Sequence, residues 1–202
     1  MRWEKMLRIL IVLIVLVCNP ASSQEAERDI SGKFVAAALE RTQHRVTYDG
    51  SYRNLEYPGG DVPKGIGVCT DLVIRAYRVV GIDLQEVVHE DMTASFAAYP
   101  KIWGLSRPDP NIDHRRVPNL QTFFSRQGAI LPVTDNPADY RAGDLVTWML
   151  PGNLPHIGIV VDRRSADSLR PLIVHNIGKG PKLEDALFTY PVTGHYRYLD
   201  SS

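Results

Sequence analysis

Cysteine is scarce in this chain: 202 residues contain two, Cys18 and Cys69. A framework of several disulfides is therefore excluded. An excess of either charge is lacking too, with 23 Lys plus Arg against 23 Asp plus Glu. No electrostatic footprint for nucleic acid results, and no nucleic-acid partner is expected. The apolar run Ile9 to Val17 is well short of the roughly 20 residues that cross a bilayer as a helix. There is no internal repeat, no low-complexity region and none of the close ligand pairs usual in zinc sites. A serine nucleophile is disfavoured by the lack of a Gly-x-Ser-x-Gly elbow.

What is there begins with export. Arg2, Lys5 and Arg8 precede the apolar run, and Asn19-Pro20-Ala21-Ser22-Ser23 follow it, the order of a secretory signal peptide. Small residues at Ala21 and Ser23 place the expected cut after Ser23. The expected location is periplasmic or secreted, with membrane contact only transient, through the signal. Two alternatives are an uncleaved anchor and a lipoprotein acylated at Cys18, although Val17 is bulkier than the residue such processing prefers. Cleavage leaves 179 residues with 20 Lys plus Arg and 22 Asp plus Glu, a normal size for one domain. Residues 24–30 read as a tether and 31–202 as a single domain. Cys69 is then an unpaired thiol in an oxidising compartment. It is either a buried small hydrophobe or a nucleophile.

Phe34, Val35, Ala38 and Leu39 recur at helical spacing, with Ser31 or Asp29 as the expected cap. Residues Thr47 to Gly67, rich in tyrosine, proline and glycine, predict an ordered loop. From Cys69, the residues Leu72, Val73, Ala76, Val79 and Val80 share a helical face that Gly81 ends. Shorter helices are expected around Met92, Phe96 and Tyr99 and around Leu120, Phe123 and Phe124. Between them, Arg107 to Arg116 combines two prolines with a run of charges and reads as surface loop. After Tyr140 the pattern turns to strands at 144–150, 156–162, 172–176 and 195–199, with Pro151-Gly152 and residues 163–170 as turns. Helices early and strands late predict an α+β domain, its antiparallel sheet packed on the Cys69 helix.

Cys69 opens that helix, where unpaired N–H groups and the helix dipole favour an anion and should lower the thiol pKa. A nucleophilic thiol needs an imidazole to move its proton and a further polar group to fix the ring. The chain supplies Cys69-Thr-Asp-Leu-Val, Arg141-Ala-Gly-Asp-Leu-Val-Thr-Trp, Pro155-His-Ile-Gly-Ile-Val-Val and Ile173-Val-His-Asn-Ile. These resemble the NlpC/P60 papain-like cysteine hydrolases. Over about Tyr48 to Tyr198 the chain more closely resembles the DUF1287 (YijF-like) family, through Tyr57-Pro-Gly-Gly-Asp, His89-Glu-Asp-Met, Arg107-Pro-Asp-Pro-Asn-Ile-Asp-His-Arg-Arg and Gly194-His-Tyr-Arg-Tyr.

The resemblance implies a papain-like fold with Cys69 as nucleophile, His156 as general base and His175 as orienter. It also implies amide hydrolysis through a thioester, with a cell-wall peptide as substrate and no cofactor. His175 and Asn176 are adjacent on a strand and face opposite ways, so only one reaches His156. The strand position favours His175, with Asn176 in reserve. Oxyanion donors would be the Cys69 N–H and Tyr57. Val68-Cys69-Thr70-Asp71 departs from the usual Asp-Cys-Ser-Gly, and Asp71 is placed to alter the groove or the thiol pKa. His89, Asp113 and His114 are candidates to line the groove, and Arg115-Arg116 to hold a substrate carboxylate. His44 and His195 read as structural or exposed. Two other readings stand beside this one: a Cys/His/His zinc hydrolase, and a binding or scaffold protein that keeps the fold without the chemistry.

Overall fold

The computed structural model describes residues 20–199; the apolar run and its basic flank lie outside them. The first element, α1 (Pro20–Arg41), takes in residues 24–30, expected as a tether. That stretch is Gln-, Glu-, Ala- and Arg-rich without proline or glycine, so helix propensity carries the helix through it. Neither Asp29 nor Ser31 is then a cap: Ser31 donates to the Ala142 carbonyl at 3.1 Å and Asp29 pairs with Lys33 at 2.6 Å. No described helix is long and apolar enough to cross a membrane.

Between α1 and the next helix the chain loops out, its ends joined by parallel pairing of β1 (Thr47–Tyr48) and β2 (Ile66–Gly67). The loop is ordered by side chains from the helices it covers. Arg75 of α2 (Cys69–Val79) bonds Asp61 at 2.8 Å and the Val62 carbonyl at 3.0 Å. Gln85 receives the Gly60 N–H at 2.8 Å and donates to the Glu56 carbonyl at 2.9 Å. Helix α2 buries Leu72, Val73, Ala76 and Tyr77, and Gly81, at φ 84°, turns the chain away at its end. Val79, expected on the apolar face, is exposed.

Helix α3 (Leu84–Ser95) starts earlier than Met92 suggested, because Asp83 caps it by accepting the Gln85 N–H. Phe96 falls in a short 3-10 turn and Tyr99 beyond it. Helix α4 (Val117–Arg126) buries Leu120, Phe123 and Phe124 as the spacing predicts. The largest departure is the segment before α4. Residues Asp113–Arg115 form a 3-10 turn whose three side chains are buried, not a surface loop. Their polar groups are largely paired inside: Asp113 accepts the Asp109 N–H at 2.6 Å and Arg115 meets Asp71 at 2.8 Å.

Six antiparallel strands follow, β3 (Ile130–Leu131), β4 (Leu145–Leu150), β5 (Leu154–Arg164), β6 (Pro171–His175), β7 (Lys182–Glu184) and β8 (Val192–Tyr196), in the order β3-β8-β4-β5-β6-β7. The expected α+β class with an antiparallel sheet is the observed one. Strands β3 and β7 carry too few residues to show a period, and β5 runs two residues into the expected turn. Alternation divides the sheet. Leu145, Ile157, Ile159, Val161 and Val174 join the helices in the main core, whereas Val146, Trp148, Val160 and Ile173 pack on the other face with Tyr140 and Leu187.

Candidate active site

Helix α2 points its N-terminus at the start of β5. The helix begins at Cys69 because Val68 is extended and its N–H is taken by Asp71 Oδ2 at 2.6 Å. Strand β5 fixes the other half. Val160 gives both its N–H and its carbonyl to the β4 side, so Ile157, three residues earlier, directs its N–H toward β6. Strand β6 ends at His175, opposite Gly158, and the Cys69 sulfur accepts the N–H of Ile157 that β6 leaves over. The sulfur thus sits against the residue that directly follows His156.

His156 and His175 meet on the sheet: His156 Nε2 lies 2.9 Å from His175 Nδ1. His175 Nε2 in turn lies 3.0 Å from Glu184 Oε2. The Trp148 ring, centred 5.8 Å from that of His156 and held by an Nε1–H bond to the Leu187 carbonyl, walls both imidazoles. Of the two expected orienters only His175 touches His156. Asn176 faces away and donates weakly, at 3.4 Å, to the Gly67 carbonyl. Glu184 escaped the sequence reading because β7 has three residues and no pattern.

Electrostatics depart from the expectation of a lowered thiol pKa. Burial pushes the Cys69 thiol up to about 11; the Ile157 N–H and the Tyr48 hydroxyl pull it down less, and the carboxylate of Asp71 adds to the rise. Desolvation, with His175 beside it, holds the His156 imidazole down at about 3. His175 is lowered by burial too, against the opposing pull of Glu184. The resting site is a neutral thiol and neutral rings.

The sulfur opens onto a groove of about 630 Å³ whose walls include Tyr48, Tyr52, Trp103, Arg116 and Pro155. Tyr48 is the hydroxyl donor beside Cys69, since β1 pairs with β2 just before the α2 N-terminus. Tyr57, the expected donor, instead sets its ring edge-on to His89, 5.0 Å between centroids. Asp71 is bound up under the groove with Arg115. Asp113 and His114 are buried away from the groove, Asp113 pairing with Arg116 at 3.1 Å. Their neighbours Arg115 and Arg116 reach it, Arg116 lying 4.2 Å over the Trp103 ring. His195 is structural, held between Asp144 at 2.7 Å and the Pro132 carbonyl at 3.1 Å. Among the described residues no group of three His, Cys, Asp or Glu converges as metal ligands would.

The family model described as "Domain of unknown function (DUF1287)" matches residues 35–198. The chain belongs to this DUF1287 family. A relative in it, the "Uncharacterized protein YijF" of Escherichia coli (strain K12), is 56% identical over 152 residues, which are 75% of this chain and 74% of that protein. Among solved structures, an N-acetylmuramoyl-L-alanine amidase from Bacteroides uniformis ATCC 8492 aligns with 83% of this chain and 98% of its own, at 13% identity and a TM-score of 0.44.

Proposed function

We propose that this DUF1287 protein is an exported cysteine hydrolase of papain-like fold that cleaves an amide bond through a thioester. The observation that carries the reading is the hydrogen-bonded line from Glu184 through His175 to His156, on the strand whose next N–H holds the Cys69 sulfur. In this mechanism His156 takes the thiol proton as the sulfur attacks the carbonyl carbon, then returns it to the leaving amine. Water repeats the cycle and releases the acid. Because thiol and ring both rest neutral, the proton moves with the attack and no thiolate accumulates beforehand. The Tyr48 hydroxyl and the backbone N–H groups at the start of α2 are the donors for the developing oxyanion. The substrate is a cell-wall peptide, a proposal that joins the groove to the expected export.

The test is mass spectrometry of peptidoglycan fragments after digestion by the mature protein and by Cys69→Ala and His156→Ala. New free amino and carboxyl termini are expected from the wild type alone; turnover retained by either variant defeats the mechanism. N-terminal sequencing of the exported protein should begin at Gln24.

A further inference from the structure

Burial holds both His156 and His175 neutral near pH 7, so each ring carries one N–H and one lone pair. Their hydrogen bonds leave the tautomers undetermined until the line reaches a group with only one role. Glu184 is that group. An ionised carboxylate accepts and cannot donate, so the proton facing it must sit on His175 Nε2. His175 Nδ1 is then a lone pair, and the His156 nitrogen 2.9 Å away, Nε2, must be the donor. Neutral His156 has no second proton, which leaves its lone pair on Nδ1.

The geometry points to Glu184 as a positioning residue that, through two imidazoles in series, fixes the basic nitrogen of His156 as Nδ1. This deepens the cysteine-hydrolase reading and rests on it for its catalytic meaning: a His156 protonated at Nδ1 in the resting state has no lone pair there for the thiol proton. Once Nδ1 has accepted that proton, the ring is a cation. Its Nε2–H still donates to His175, which still donates to the carboxylate, so the same line supports the charge. The charged neighbour of Glu184 is Lys182, 3.6 Å from its other oxygen. Glu184 is half exposed on an edge strand, β7, so truncating it is compatible with folding.

Long-range ¹H–¹⁵N correlation spectra of the mature protein near neutral pH report which ring nitrogen is protonated. Signals are assigned with His156→Gln and His175→Gln. In the wild type both rings are expected to be protonated at Nε2. In Glu184→Ala, where water can donate as well as accept, both should become mixtures of tautomers. A wild-type ring protonated at Nδ1, or tautomers unchanged in Glu184→Ala, overturns the proposal. On peptidoglycan, Glu184→Ala should lose roughly tenfold in kcat with KM unmoved, a fraction of the hundredfold or more that a general base contributes. A wild type without turnover sinks the hydrolase reading and leaves the tautomer result standing, so the two failures are distinct.

Discussion

The Asp71 carboxylate meets the Arg115 guanidinium at two points, 2.8 and 3.0 Å apart, with both side chains almost wholly out of solvent. Arg115 also donates to the carbonyls of Ser51 and Asp49, so one buried cation ties the N-terminus of α2 to the loop that carries Tyr48. A pair of this kind costs much to desolvate, and removing one partner strands the other charge.

Arg115→Ala should therefore destabilise the protein by about 3 to 5 kcal/mol, read as a fall in the urea midpoint at neutral pH. In an Asp71→Asn background, where no carboxylate is left bare, the same truncation should cost clearly less. Equal costs in the two backgrounds would show that the pairing is incidental.

The thiol gives a second prediction, opposite to the one a helix N-terminus suggests. Alkylation of Cys69 by iodoacetamide should have its midpoint near 11, and a midpoint under pH 8 would contradict the buried neutral state. Tyr48→Phe deletes a donor to the sulfur and should move the midpoint higher. If the Tyr48 hydroxyl also meets the oxyanion, turnover should fall about a hundredfold.

Those two tests mark the boundary of what the sequence made legible. The Cys69 helix, α4 and strands β4, β5 and β6 were readable because each carries enough apolar residues to display a period. Strand β8 instead runs from Val192 to Tyr196, not over the expected 195–199, because Thr193 and Gly194 give its first half no apolar pattern. That only one of His175 and Asn176 could meet His156 was readable because a strand turns alternate residues one way; that it is His175 was legible only through the family resemblance. Tyr48 was not, since its nearness to Cys69 comes from a two-residue parallel pairing across an irregular loop. The burial of Asp113 to Arg115 was hidden for a different reason: a charged, proline-rich run looks solvated until its partners, Asp71 and the Asp109 N–H, are placed around it.

Acid stability follows from two buried histidines. His156 and His114 are both held at about 3, each mainly by desolvation and then by a neighbour that opposes a positive charge on the ring, His175 for the first and Arg115 for the second. Unfolded, each titrates near 6.5. Between those values the unfolded chain binds a proton that the folded one refuses, so stability rises with pH across about 3 to 6.5 and is flat above. Each histidine contributes a slope of about 1.4 kcal/mol per pH unit. Denaturation at a series of pH values should show this, and His114→Gln should reduce the slope between pH 6 and 4.5. An unchanged slope would mean that His114 is protonated in the folded state.

The glycine of the Pro155-His-Ile-Gly run has a steric role that can be tested apart from the chemistry. Gly158 stands opposite His175 in the β5 and β6 pairing. A Cβ there would come within 2.7 Å of Ile173 Cγ2, 3.0 Å of His175 Cβ and 3.1 Å of the Val174 carbonyl. Ile173 is β-branched and stiff, and the other two contacts belong to backbone or to an atom fixed by it, so the strain is relieved by moving β6 outward. That movement carries His175 away from His156. Gly158→Ala should then cost about 1 to 3 kcal/mol in stability and considerably more in turnover, because the 2.9 Å contact between the rings does not survive a shift of several tenths of an ångström without weakening. The imidazole spectra should show the two tautomers released while the fold persists. A Gly158→Ala protein with wild-type turnover would mean that β6 absorbs a methyl group without disturbing His175, and that the glycine serves only the sheet.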